Sequence, residues 1–259
     1  MRMPSIFIGH GNPMNAILDN SFTQHLKQLG ERIEKPKAVL AVSAHWLTPG
    51  GSFVSVNPKP ATIHDFGGFP DELFAVQYPA PGAPEVARAT IANVKSLQIH
   101  EDHEMGLDHG AWSIMKHIFP RADVPVFQLS IDWGKPTAYH YALAQELRTL
   151  RDKGILIIGS GNVVHNLGRV NWQEGESAKP YDWAVEFDAF VKDKVAARDD
   201  QALVDYQQLG EVARIAHPSN DHYLPLLYTL GASAKNEEFK EIHSSIDMGS
   251  VSMRSFELS

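Results

Sequence analysis

Two runs of almost unbroken apolar sequence, Val39-Leu40-Ala41-Val42-Ser43-Ala44 and Ile155-Leu156-Ile157-Ile158-Gly159-Ser160, constrain the fold more than any other feature of the chain. A strand with one face in water alternates apolar and polar residues, whereas a strand with no polar face must be covered on both sides. Strand-like segments also lie at Ser5–Gly9, Phe53–Val56, Val124–Ser130 and near Ser250–Phe256. Helical periodicity fills the intervals at Ser21–Ile33, Ala83–Ser96, Ala111–Phe119, Thr137–Asp152, Asp182–Ala197 and His222–Leu230, with Asp221 as the expected N-cap of the last. This alternation predicts an α/β sandwich with a central mixed β-sheet flanked by helices. No repeat or linker divides the sequence, so a single domain over residues 1–259 is expected.

Composition narrows the function classes. The chain carries 31 acidic and 23 basic residues, a net charge of -8, with no cluster of Lys and Arg, so nucleic acid is not an expected partner. No apolar run is long enough to span a bilayer, and the N-terminal segment lacks the pattern of a signal peptide, which predicts a cytoplasmic protein. Cysteine is absent, excluding thiolate metal sites and a cysteine nucleophile, whereas histidine occurs 13 times. Any metal must be held by nitrogen and oxygen.

The histidines are not scattered. His10 follows the first strand in Gly9-His10-Gly11, His45 follows the second in Ser43-Ala44-His45-Trp46, and His165 lies just past the strand ending in Gly159-Ser160. Ligands of open α/β sheets bind beyond the carboxyl ends of strands, so these three residues point to one rim. His109 precedes a helix, and His217 and His222 flank Pro218-Ser219-Asn220-Asp221 within reach of the same rim. Neutral imidazoles gathered this way suit a divalent transition metal. His25, His100, His117, His140 and His243 have no such context and read as surface residues. The glycines beside His10 suggest close approach of metal and substrate to the backbone. Two long loops, 63–84 and 100–110, stand out as functional candidates. The segment Gly159-Ser160-Gly161-Asn162 has neither the spacing of a P-loop nor that of a nucleophile elbow.

The ordered segments GHGNPMNAI, KAVLAVSAHW, TIHDFGGFP, YPAPG, GLDHGAW, PVFQLSID, GSGNVVHNL and HPSNDHYLPLLYTLGA, with SMRSF near the end, resemble the LigB-type class III extradiol ring-cleaving dioxygenases, in particular their 4,5-DOPA extradiol subfamily. The resemblance implies a mononuclear Fe(II) enzyme that opens a catechol ring with O2 to a muconic semialdehyde, with Zn(II) possible in place of iron. It implies His10 and His45 as metal ligands, with His165 and His217 able to complete a four-nitrogen set. His165 matches the acid/base histidine and His109 a histidine lining the substrate pocket. Asn12, His64, Asp65 and His222 are candidates for contact with substrate or bound oxygen. The archetypal third ligand, a glutamate, has no counterpart near His217. Two other readings fit the cluster: a Zn(II) hydrolase using Asp65 or Asp108 as base, and a non-catalytic interaction protein of the Memo type.

Overall fold

The structure, a computed structural model, describes residues 2–259 apart from the side chain of residue 176. Its central sheet is built from β1 (Ser5–Gly9), β2 (Ala38–Ser43), β3 (Val126–Gln128), β4 (Ile155–Gly161), β5 (Phe239–His243) and β6 (Ser255–Leu258), in the order β3-β2-β4-β1-β6-β5. The first four in that order run parallel, and β6 and β5 continue the sheet antiparallel, which makes it mixed as expected.

The pleat explains the continuous apolar runs. Successive side chains leave a strand on opposite faces, and here each face has its own core. Ile6, Ile8, Val39, Ala41, Leu156 and Ile158 join one cluster; Phe7, Leu40, Val42, Ile155 and Ile157 join the other. Helices α1 (Ser21–Arg32) and α3 (His109–Ile118) pack together on the first face, and α4 (Thr137–Asp152) and α6 (Leu224–Gly231) on the second. Between them in the chain lie α2 (Pro84–Asn93) and α5 (Asp182–Ala196). Among the described residues no helix is long and apolar enough to cross a membrane.

Several boundaries differ from expectation for physical reasons. The strand Val124–Ser130 narrows to β3, after which Ile131–Asp132 leaves the sheet to pair with Leu47–Thr48. The strand expected at Phe53–Val56 is Ser52–Ser55, and it pairs with Ile99–Asp102, so the loop at 100–110 begins as a strand. The segment 250–256 is split: Val251–Ser252 pairs with Ile246–Asp247, and Ser255–Leu258 becomes β6. Asp221 is not an N-cap. Helix α6 starts at Leu224, with no side-chain cap, and Asp221 is held by His222 instead. His117, His140 and His243 are buried rather than exposed. His117 Nε2 donates to the Asn15 carbonyl at 2.8 Å, His140 Nδ1 pairs with the Tyr228 hydroxyl at 2.9 Å, and His243 Nδ1 meets His25 Nδ1 at 3.0 Å.

Candidate metal centre

Adjacent parallel strands β2, β4 and β1 end on the same rim, so the residues that follow them meet. His10 directly follows β1, His45 lies two residues past β2, and His165 lies four past β4. His109 is the first residue of α3, whose N-cap Asp108 accepts from Ala111 N and the Ser43 hydroxyl. Gly110 lets this helix end press on the rim, where a Cβ would meet Ser43 Oγ and His45. His222 is strapped to β4 through the Asn162 N–H, which donates to its carbonyl at 3.0 Å, and a side chain at Gly161 would strike that carbonyl.

Hydrogen bonds orient the rings. The Ser160 hydroxyl has one proton, which it donates to the Gly110 carbonyl at 2.6 Å, so His10 Nδ1 donates to Ser160 Oγ at 3.0 Å. The Nε2 of His10 is therefore a lone pair. His109 Nδ1 donates to Asp65 Oδ2 at 2.9 Å, and His222 Nδ1 donates to Asp221 Oδ2 at 2.5 Å, which leaves their Nε2 atoms as lone pairs too. Asp65 Oδ2 also lies 3.5 Å from His45 Nδ1 and draws that ring's proton to the same side. Carboxylates behind imidazoles in this way fix the tautomer and raise ligand basicity.

These lone pairs converge. His10 Nε2 and His45 Nε2 face each other at 3.1 Å, a repulsive arrangement that a cation between them relieves. The ring centres of His10, His45 and His222 form a nearly even triangle with sides of 5.0, 5.0 and 5.3 Å. An imidazole bonded through Nε2 at about 2.1 Å has its centre about 3.2 Å from the ion, which separates rings by about 4.5–5.2 Å at octahedral to tetrahedral angles. The triangle fits one ion. Ligand atoms of His10, His45 and His109 also fall within 4.8 Å of one another, as do those of His165, Asp221 and His222. His165 lies flat on His222, with centres 3.5 Å apart and planes within 8°.

The electrostatics agree with a cation site. Burial, followed by the neighbouring imidazoles, holds His10 and His45 well below the ordinary histidine value, and burial with His222 takes His165 down to about 2. All three are neutral at pH 7, the form that binds metal. Burial works to raise Asp65 and Asp221, but hydrogen bonds from His109 and His222 outweigh it and hold both below the usual carboxylate value.

The remaining candidates are placed differently. His217 does not join the cluster, which corrects its expected place in the ligand set. Its Nε2 donates to the Val163 carbonyl at 2.6 Å and its ring packs among Phe187, Tyr206 and Tyr223. His222, five residues on, brings its ring centre to 5.3 Å from His10 and 5.0 Å from His45. His64 Nε2 donates to the Val76 carbonyl at 3.0 Å, so its polar edge is taken by the backbone. Asp65 stands behind His109 and His45, and Asn12 accepts from Met14 N while lining the cleft. The glycines beside His10 serve the chain itself: a side chain at Gly9 or Gly11 would strike Met253, and Gly11 has φ +60°. Ser160, Asp108 and Asp221 support the histidines and were not singled out as such; the one sequence signal was their adjacency to the motif histidines.

The cleft over the cluster has a volume of about 240 Å³ and is lined by His45, His109, His165 and His222 together with Phe66, Phe69, Leu167, Trp172, Met248 and Val251. A larger groove of about 480 Å³ beside α1 and α3 contains none of these histidines.

Comparison with known proteins agrees with this geometry. Residues 3–255 match the family described as the catalytic LigB subunit of aromatic ring-opening dioxygenase. The chain is 42% identical to the 4,5-DOPA dioxygenase extradiol of Escherichia coli over 99% of this chain and 95% of that protein. It is 36% identical to the protein of the same name from Beta vulgaris, over 97% of this chain and 95% of the relative. A crystal structure of an uncharacterized Escherichia coli protein superposes over the whole of both chains with a TM-score of 0.86 and 38% identity. LigB extradiol dioxygenases are metal-dependent and act on a small aromatic molecule and O2. With its rim of inward-facing imidazoles, this chain belongs to the LigB family and is an extradiol ring-cleaving dioxygenase.

Proposed function

We propose that the protein, acting as a single catalytic domain, opens the ring of a catechol beside its two hydroxyls to give a muconic semialdehyde. DOPA, named for its relatives, is the first substrate to try. The observation that carries the reading is the triangle of His10, His45 and His222, with their Nδ1 atoms turned outward to Ser160, Asp65 and Asp221. These three residues would hold the ion, Fe(II) in the active enzyme, with Zn(II) able to take the same nitrogen set. Fe(II) held there would supply adjacent positions for catechol and O2 and a route for electron density from the ring to oxygen.

The chain's own residues manage the protons. His165 lies neutral over the cleft and takes the phenolic proton; the negative charge of the bound catecholate favours its protonated form. Held at His165, the same proton is then available to the reacting oxygen. His109, oriented by Asp65, lines the same cleft and accepts a hydrogen bond from a substrate hydroxyl through Nε2, while Asn12 also lines it. The hydrolase and interaction readings find no support. Asp108 is buried and saturated by Ser43, Gln128 and Ala111, and Asp65 is committed to histidine, so neither is available as a base to a metal-bound water.

Apo-protein loaded anaerobically with Fe(II), then given DOPA or caffeate and air, should develop a yellow chromophore with uptake of one O2 per ring. His165→Ala should keep its metal and lose turnover. Normal turnover by that variant would remove His165 from the mechanism, and no colour with any catechol would overturn the reading as a whole.

A further inference from the structure

The proton chemistry leaves one wall of the cleft without a role. We propose that Phe66, Phe69, Leu167 and Trp172 form a subsite for the substituent on the catechol ring, and that it selects apolar, uncharged substituents over those bearing a carboxylate. This rests on the catechol reading above.

The wall is exposed apolar surface placed beside the chemistry. Trp172 is 71% exposed and Leu167 55% exposed, yet both line the cleft. Large apolar side chains left open at a concave site mark contact with a ligand. The wall is also continuous with the histidines: Phe66 stands edge-on to His109 at 5.5 Å and to Phe69 at 5.4 Å.

The surface is braced. His165 bridges to Val251, the Asn166 N–H donates to the Ser250 carbonyl at 3.3 Å, and the Asn171 N–H donates to the Met248 carbonyl at 2.9 Å. The segment carrying Leu167 and Trp172 is thus tied at both ends to the segment carrying Met248. Met248 itself sits at φ +51°, a left-handed conformation that costs a non-glycine residue energy and tends to persist at binding sites.

Charge works in the same direction. Among the described residues, none lining the cleft is Lys, Arg, Asp or Glu, and the carboxylates of Asp65 and Asp221 stand behind the imidazoles. A substituent carboxylate placed on this wall exchanges water for apolar side chains with no Lys or Arg lining the cleft to meet it, in the field of a chain of net charge -8. An alkyl group gains from the same walls, at about tenfold in kcat/KM for one or two methylenes.

The experiment compares 4-propylcatechol with 3,4-dihydroxyphenylacetate and DOPA. Oxygen uptake by the Fe(II)-loaded enzyme is measured alongside calorimetric binding to the Zn(II)-loaded protein. The propyl compound should have at least about tenfold higher kcat/KM and tighter binding. Trp172→Ala should shrink the advantage of propylcatechol over unsubstituted catechol, chiefly through KM, and Leu167→Arg should raise kcat/KM for the dihydroxyphenylacetate. Equal or better use of either carboxylate substrate, or an unchanged propyl advantage in Trp172→Ala, overturns the subsite. If no catechol is opened, the proposed function fails, and the binding measurements still decide the subsite by the same ranking.

Discussion

Replacing Asp65 by Asn tests whether the metal centre depends on the carboxylate behind it. Asp65 Oδ1 accepts from the His109 N–H and Oδ2 from His109 Nδ1, both at 2.9 Å, and Oδ2 lies 3.5 Å from His45 Nδ1. The amide keeps the shape but has one oxygen. If that oxygen faces His109 Nδ1, the new NH2 group opposes the backbone N–H. If it faces the backbone, the NH2 opposes Nδ1 and forces His109 into the other tautomer. The first arrangement leaves the His109 N–H without an acceptor, at about 1–3 kcal/mol, and the second turns the His109 proton to Nε2, towards the other rings. The charge that draws the His45 proton to Nδ1 is lost in both. Removing such a partner weakens metal binding by about 10–100-fold, or about 1.4–2.7 kcal/mol. The assay is Zn(II) competition against a chelator, with thermal unfolding at fixed metal excess as a second readout, where the stabilisation by metal should fall by the same amount. A dissociation constant within threefold of the parent, in a folded variant, would refute the role given to Asp65.

Other outcomes follow from the same geometry. His222→Ala should lose stoichiometric metal by elemental analysis, whereas His217→Ala should retain it and instead lose about 1–3 kcal/mol of stability by denaturant unfolding, because the Val163 carbonyl loses its donor; metal loss from the His217 variant alone would reverse the assignment. His140 is fully buried and burial takes it down to about 4 from 6.5, so the unfolded chain binds its proton first as the pH falls. Its contribution is intact above pH 6.5 and is lost between there and pH 4, about 2 kcal/mol at pH 5. A His140→Phe variant should show a correspondingly shallower fall in unfolding free energy between pH 7 and 5, and an unchanged slope would count against the shift.

Much of the architecture was legible because burial on both faces leaves an unbroken apolar signature, as in β2 and β4. Strand β5, Phe-Lys-Glu-Ile-His, was not legible: at the sheet edge its composition is that of a polar loop, and only pairing with β6 makes it a strand. His10, His45 and His165 were legible because a residue after a parallel strand must lie on the rim. The choice between His217 and His222 was not. It depends on which ring the Val163 carbonyl captures and which the Asp221 carboxylate turns, and both are matters of packing five residues apart. The buried state of His140 was hidden for a similar reason, since its partner, Tyr228, is 88 residues away.

The position of β6 bears on when the enzyme can acquire its cofactor. The Gly9 N–H at the foot of the His10 turn donates to the Ser255 hydroxyl, 246 residues later, and Met253 fills the space that Gly9 and Gly11 leave open. A ribosome adding about 5–20 residues per second needs about 12–50 s to cover that interval. Throughout it the turn that carries His10 lacks Ser255 and Met253, which brace it. The rim is thus braced only once β6 has been made and has paired with β1, the earliest point at which an ion would find the turn of His10 held in place.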